Sequence, residues 1–580
     1  MNVDKSLVPE LALLEKSEIF THGHLPVAAA FCRRLGLVEA INTMVPSQMQ
    51  TSPGLVVQAM VLDVLSGRTP LYRLEDFMAG QDVELLLGQS IASHAFNDTN
   101  LSRCLDALFD AGTSKIVTEL GRRAVVAFGL DTSVASYDTT STSVWGEYRA
   151  CEGDAPPPGP VVTYGHSKDA LPHLKQFMTE LLCVDRGVPI FGQTRNGNSS
   201  DKTSNNELLT RISSIMARHG LGAGAFVYAA DSAMVTKSNL EAIGDVLFVS
   251  RLPATYGECA RAIAAAVDIG QWVSIGALAE NADASPSRPA AVYRCHETTV
   301  DLHGKTYRAL VVHSSSHDAR RQKKLDKALA QSAKVLQAAF KPFEKIYFCE
   351  EDAQEAARQA QSLSDRMHAV AAALRPVQVR KRGRPPKQGP APTHTRYELT
   401  CSLKINQDEV DRVRALAGCF VLLSNVPIEG EQAMDSKQLL KTYKGQYGVE
   451  SDFAFLKDPL VVNDLFLKTP ARIEALGMVL ILALLVWRLM ERSMRVHVQN
   501  TQAALPGWDR KPTMKPTAFM MSTKIVSIQV ALIAGRRFLL KNLATAQLAF
   551  LKAMGTGPAA FLDPSYRCQP IIPAKSDFSG

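Results

Sequence analysis

The sequence predicts a multidomain α/β protein, and three observations carry that prediction. At 580 residues the chain is too long for a single hydrophobic core, which implies two to four domains. The hydrophobic period changes along it, from three- and four-residue spacing up to about residue 125, to alternating and β-branched runs beyond 132, and back to helical spacing after 430. Hydrophobic residues at 46% and charged residues at 21% describe an ordinary globular chain and exclude a disordered one.

In order along the chain, LPVAAAFCRRLGLVEAIN, GLVVQAMVLDVLSG and LSRCLDALFDAGTSKIVTELGRRAVVAF read as helices, punctuated by Pro53-Gly54 and Asn97-Asp98. SVASYDTTSTSV then reads as a strand with Asp138 inside it. LKQFMTELLCVDRGVPIFGQTRNG reads as two strands joined at Asp185-Arg186-Gly187, whose Asp and Gly suit a hairpin turn. A helix in NNELLTRISSIMARHG follows, then GAFVYAA, an apolar strand running into Asp231, a short helix near SNLEAI and the strand DVLFVSRL. The next stretch mixes strands (AVYRCHE, KTYRALVVHS, TRYELTCSLKI, CFVLLSN) with a charged helical segment expected from His317 to Leu374. Domains are expected at 1–125, 126–251, 252–429, 430–500 and 501–580, the last a helical tail.

The ten cysteines are scattered without a CxxC pair, so neither a disulfide framework nor a zinc site is indicated. The opening MNVDKSLVPELALLEK lacks the basic and long apolar regions of a signal peptide, and a cytoplasmic location is expected. The apolar run Ala475 to Trp487 is shorter than a bilayer span and is expected to be a buried helix, with no membrane partner. A net charge of +7 suits a polyanionic partner.

The stretch YKGQYGVESDFAFLK, residues 443 to 457, carries the most specific pattern. Read as one helix ended by Pro459, it stacks Tyr443, Glu450 and Lys457 on a single face, because steps of seven drift by only about 20°. Gln446 and Tyr447 lie beside them, while Val449, Phe453 and Leu456 form an apolar stripe for seating on a core. Tyr443, Gln446, Glu450 and Lys457 have the spacing Y-x(2)-R-x(3)-E-x(6)-K with glutamine for arginine, and so resemble the "YREK" signature of DDE transposases encoded by bacterial insertion sequences. YDTTS around Asp138 and YAADSAM around Asp231 resemble the first two catalytic blocks of that family.

The resemblance implies an RNase H-like catalytic core interrupted by a large mixed insertion domain, with helical N-terminal and C-terminal regions. The strand-strand-strand-helix-strand-helix-strand order from 132 to 251 is the order of that fold, and Asp138 and Asp231 occupy its two aspartate positions. It further implies that Asp138, Asp231 and Glu450 hold two Mg²⁺ or Mn²⁺ ions, since such hard cations take carboxylate oxygens. The expected partners are double-stranded DNA, as terminal inverted repeats and target, and a second protomer to join two element ends. The location it implies is bacterial and nucleoid-associated. Asp131, Asp201 and Asp452 compete for the ligand roles, but Asp452 stands about 160° around the helix from Glu450.

Tyr443, Gln446 and Lys457 are expected at the DNA phosphate; because Gln446 lacks the arginine's charge, His166, Lys168 or Lys175 is the expected substitute. The helical N-terminal region would read the element's ends or serve as a packing domain. In VRKRGRPPKQGPAP, residues 379 to 392, prolines and glycines exclude helix and sheet. Its Arg382 and Arg384 fit minor-groove binding of the AT-hook kind, a phosphate contact, or an exposed linker. Two other readings stand beside the transposase: a metal-dependent nuclease of the same fold, and a domesticated DNA-binding protein without strand transfer.

Overall fold

The computed structural model describes residues 17–573 apart from 68–72, 147, 149–157, 169–170, 186, 220–224, 279–289, 381–392, 458–466 and 468, and describes the backbone but not the side chains of Tyr447, Glu450 and Arg510. The chain is a mixed α/β protein of two compact units: residues 1–250, 425–434 and 439–580 form one, and 251–424 with 435–438 the other.

The first unit begins with a short strand, β1 (Glu18–Phe20), and a set of helices that includes α1 (Leu25–Leu35), α2 (Pro53–Leu65), α3 (Asp98–Ala111) and α4 (Thr113–Phe128). α2 is apolar but for Gln58 and Asp63, and all of its residues are buried, as a helix without a polar face must be; Gln58 Nε2 donates to the Leu86 carbonyl at 2.7 Å. Five strands follow: β2 (Val134–Val144), β3 (Lys175–Val184), β4 (Val188–Arg195), β5 (Val227–Ala230) and β6 (Leu247–Arg251). They lie side by side in the order β4-β3-β2-β5-β6, with β2, β3 and β4 antiparallel and β2, β5 and β6 parallel. The β3–β4 hairpin turns where the sequence places it, with Asp185 at φ 44° and Gly187 at φ 119°. The parallel pairs need crossovers, supplied by α5 (Asp201–Arg218) and by a short helix at Lys237–Ala242.

α5 covers one face, where Tyr228 donates to Asn205 Oδ1 at 2.9 Å and Arg211 lies over the Phe191 ring. The other face carries later parts of the chain: α7 (Tyr447–Leu456), which follows the helix α6 (Ser436–Lys444), and the long α8 (Pro470–Thr501). α8 packs across β4 and against α1, α2, α3 and α4. It is long and apolar enough to cross a membrane, and 83% of its most apolar window is buried inside the protein. Two glycines let it approach the sheet: a Cβ on Gly477 would stand 2.2 Å from Thr194 Oγ1, and one on Gly192 3.0 Å from Ile481.

The second unit holds strands β7 (Val273–Ala277), β8 (Val292–Leu302) and β9 (Lys305–Ser314), then β10 (Ile346–Tyr347), β11 (His368–Arg380), β12 (Thr393–Ile405) and β13 (Cys419–Ser424). β13, β9, β8 and β7 are consecutive antiparallel neighbours, and β10, β12 and β11 form a separate sheet.

Four local expectations need correction. The segment from 443 to 457 is not one helix: α6 stops at Lys444, and three-residue bonds (Gln446 N to Tyr443 O, 3.4 Å; Gly448 N to Gly445 O, 3.1 Å; Val449 N to Gln446 O, 2.9 Å) carry the chain into α7. Gly445 lies at the break, and glycine supports a helix interior about 1 kcal/mol less well than alanine. The segment expected to stay helical to Leu374 turns into β11 at His368, and Val379 and Arg380 pair with His394 and Thr393, so the basic stretch opens inside a strand. The C-terminal tail contains a hairpin of β14 (Val530–Ile533) and β15 (Arg536–Leu539), with left-handed Ala534 (φ 49°) and Gly535 (φ 76°) at its two-residue turn. The N-terminal region is not all helix, because β1 pairs with β14.

The contact of α4 with β4 gives a direct check. A Cβ on Gly121 would come within 2.5 Å of the Ile190 carbonyl oxygen and 2.7 Å of its Cα, backbone atoms that cannot swing aside. Gly121→Ala should therefore lower unfolding stability by about 1–3 kcal/mol in denaturant titration. Gly557→Ala, where an added Cβ meets nothing within 4 Å, should leave it unchanged.

Candidate active site

The site is set by the register of β2 on β5. Tyr137 is opposite Ala230 in this parallel pair, so Asp138 and Asp231 are each one residue beyond a matched pair on strands about 4.8 Å apart. Asp231 follows the last residue of β5 and caps a turn, its Oδ1 accepting from Ala233 N at 3.0 Å, while Ser250 Oγ of β6 donates to its carbonyl at 2.7 Å. Asp138 Oδ1 accepts from Thr139 N at 2.7 Å.

Alternation along the strands shows which face Asp138 occupies. It is opposite Leu181, and Ser136, two residues earlier, is opposite Cys183. Cys183 Sγ donates to Asp452 Oδ2 of α7 at 3.4 Å, so α7 lies over the Asp138 face. α7 also packs on β2 itself. Val449, Phe453 and Leu456 are buried there, the stripe that the sequence assigns to the core.

Around Asp138 stands a charged group. Lys168 Nζ lies 3.9 Å from Asp138 Oδ1 and 3.1 Å from Asp201 Oδ2. It donates to Thr139 O at 2.6 Å and to Thr139 Oγ1 at 3.0 Å, and the Thr139 hydroxyl in turn donates to Asp201. Burial pushes the Asp138 carboxyl up to about 6 against the pull of Lys168 and the Thr139 amide, and the charges of Asp231 and Asp201 add to the rise. Burial also raises Asp231, opposed by the Ala233 amide and reinforced by Asp201. This is a surplus of negative charge with one lysine against it. Hard oxygen donors in that condition fit a divalent cation.

The third expected ligand, Glu450, lies in α7, and its side chain is outside the described residues. Among the described residues no three His, Cys, Asp or Glu side chains form a group able to hold a metal ion. Tyr443 lies on α6, Gln446 at the break and Lys457 at the end of α7, so the shared face that one straight helix would give them is lost. Gln446 Nε2 is buried with no hydrogen-bond partner. Arg382 and Arg384, like Pro459, lie outside the described residues.

The competing aspartates separate cleanly. Asp131 is an exposed turn residue whose Oδ1 accepts from Ser133 N at 2.9 Å. Asp201 is brought in as the partner of Lys168 and Thr139, a placement that its position in the first turn of α5 gave no means of foreseeing. Asp452 is fully buried: Arg488 Nε of α8 donates to its Oδ1, and the same guanidinium reaches Ser451 Oγ at 2.7 Å and Glu491 Oε1 at 3.0 Å. Of the three basic candidates, only Lys168 reaches Asp138. Lys175 Nζ donates instead to Tyr148 O at 2.9 Å and lies over the Tyr164 ring, and the His166 carbonyl accepts from Gln176.

The family model described as "Domain of unknown function (DUF4277)" matches residues 17–122, and that domain is found in transposase-like proteins. No curated protein matches the chain.

Asp452 is thus the clasp that holds α7 to α8. Asp452→Ala leaves Arg488 buried without its main partner and should cost about 3–5 kcal/mol in unfolding stability. Asp131→Ala should cost no more than about 1 kcal/mol. Equal stabilities in thermal or urea unfolding would show that the clasp contributes nothing.

Proposed function

We propose that the protein is a DDE transposase of a bacterial insertion sequence, with an RNase H-like core that cuts DNA at the element's ends and transfers the cut strand to a target. The observation that carries this reading is the placement of Asp138 and Asp231 at matched positions on adjacent parallel strands, beneath the helix that contains Glu450. The strand order β4-β3-β2-β5-β6 supports it, as does the transposase-associated domain at residues 17–122.

Cleavage would form a bond from a water oxygen to phosphorus as the bond to the 3′ oxygen breaks, leaving a 3′ hydroxyl. Strand transfer repeats the exchange, that hydroxyl oxygen attacking a target phosphorus and displacing its 3′ oxygen. Asp138, Asp231 and Glu450 would hold Mg²⁺ or Mn²⁺, which when bound stabilises charge on the entering and leaving oxygens. Lys168 adds a fixed positive charge beside Asp138, where a scissile phosphate would sit, and Asp201 and Thr139 hold its ammonium in place. Lys168 thereby supplies the charge that Gln446 lacks. The strand partner is duplex DNA, and two protomers would be needed to join two ends.

Near-isosteric variants test the assignment without opening cavities. Asp138→Asn, Asp231→Asn and Glu450→Gln should each lower cleavage and strand transfer at least about 10²–10³-fold while DNA-end binding persists. Lys168→Ala should slow both steps and Lys168→Arg should recover part of the loss. A variant at any of the three carboxylates that keeps more than a few per cent of wild-type strand transfer removes that residue from the site.

A further inference from the structure

A second feature of the first unit lies away from Asp138. A cavity of about 490 Å³ opens between α4, the end of α5 and the helix Leu37–Met44, lined by Lys115, Arg122, Arg123, Arg218, Glu119 and Met44 among others. Four cations face one carboxylate there. Glu119 is already taken up: Arg122 donates to it at 2.9 and 2.8 Å and Arg123 at 3.0 Å, and these bonds hold its carboxyl down at about 2. Lys115 and Arg218 are exposed and have no ion-pair partner among the described residues. His219, next along the chain, is buried with neither ring nitrogen hydrogen-bonded, and burial together with Arg122 and Arg218 pushes it down to about 4.

We propose that this cavity binds a phosphate group of a nucleic-acid strand or nucleotide. Clustered like charges repel, and among the described residues no carboxylate is paired with Lys115 or Arg218, so an anion from outside would offset them. Arg122 is held in place by Glu119, which takes its Nε and one Nη2 proton, and the Nη1 edge of the guanidinium remains to donate to phosphate oxygens. Lys115 and Arg218 approach from two different helices as further charges. α5 ties this cavity to the candidate active site, since it begins at Asp201 and ends at Arg218, 18 residues or about 27 Å later. A duplex lying along α5 would meet the cavity about eight base pairs from the cleaved bond, at about 3.4 Å per pair.

The source of the phosphate rests on the proposed function, and the test keeps the two apart. The full chain and a Lys115→Ala/Arg218→Ala double variant, with matching thermal unfolding as the folding control, are titrated with a 20-base-pair duplex by fluorescence anisotropy across a salt series, and with dAMP by calorimetry. Loss of two phosphate contacts should weaken duplex binding at least tenfold at low salt and reduce the log–log salt slope by about 1.8, at about 0.9 per contact. That outcome identifies the strand backbone as the ligand. Unchanged duplex binding with dAMP binding lost identifies a free nucleotide. No change in either titration overturns the proposal. Binding is read without cleavage, so a chain that binds through Lys115 and Arg218 yet cuts no DNA contradicts the transposase reading alone.

Discussion

Burial of α8 is the constraint on which the first unit depends. Thirty-two residues of mostly apolar helix are placed against β4 and four other helices, and the run from Ala475 to Val486 is wholly buried. Each fully buried Leu, Ile, Val or Met contributes about 1.5–3 kcal/mol, so this helix is a large part of what stabilises the unit. The same burial imposes a condition on the polar residues carried with it: Arg488, Glu491 and Arg492 are buried and need partners. Each one reaches a different part of the chain. Arg488 binds Asp452 and so fixes α7 over the sheet. Arg492 binds Asp185 at the β3–β4 turn, the carbonyls of Phe128 and Gly129, and that of Ile571 near the C-terminus. Glu491 accepts from Ala518 N. The position of the helix that holds Glu450 thus follows from a buried ion pair whose cost of breaking is high.

A similar arrangement closes the two ends of the unit. β1 and β14–β15 form one small sheet from residues more than five hundred positions apart, and Arg537 of β15 donates to both oxygens of Asp82, at 2.6 and 2.8 Å, and to Glu84 at 2.9 Å. Burial alone would push the Asp82 carboxyl up, but the hydrogen bonds from Arg537 and the Leu85 amide bring it below the usual carboxylate value. The C-terminal tail is therefore part of the same body as the region matched by the transposase-associated domain.

The sequence carried some of this plainly and some not at all. The strands β2 to β6 are legible because each is a short β-branched or apolar run bounded by turn residues, and Asp138 and Asp231 stand out as acids in or at the end of such runs. The stripe of Val449, Phe453 and Leu456 is legible from helical spacing. What local pattern cannot reveal is where a partner is distant: β1 as a strand needs β14, and Asp452 as a core residue needs Arg488. The break at Gly445 was visible as a glycine, yet the seven-residue spacing across it favoured an unbroken helix. Lys168 was one of three basic candidates in a stretch without periodicity, and only the hydrogen bonds to Thr139 and the contact with Asp201 separate it from His166 and Lys175.

The proposed function requires that three carboxylates from distant parts of the chain share divalent metal at one place. Iron-directed cleavage tests that most directly: the protein is loaded with Fe²⁺ in place of Mg²⁺, treated with ascorbate and peroxide, and its fragments are mapped by mass spectrometry. Backbone scission close to residues 138, 231 and 450, suppressed by excess Mg²⁺ and absent in Asp138→Asn, is the result expected. Scission at other positions, or none while the protein still cuts DNA in chelator, would contradict the assignment.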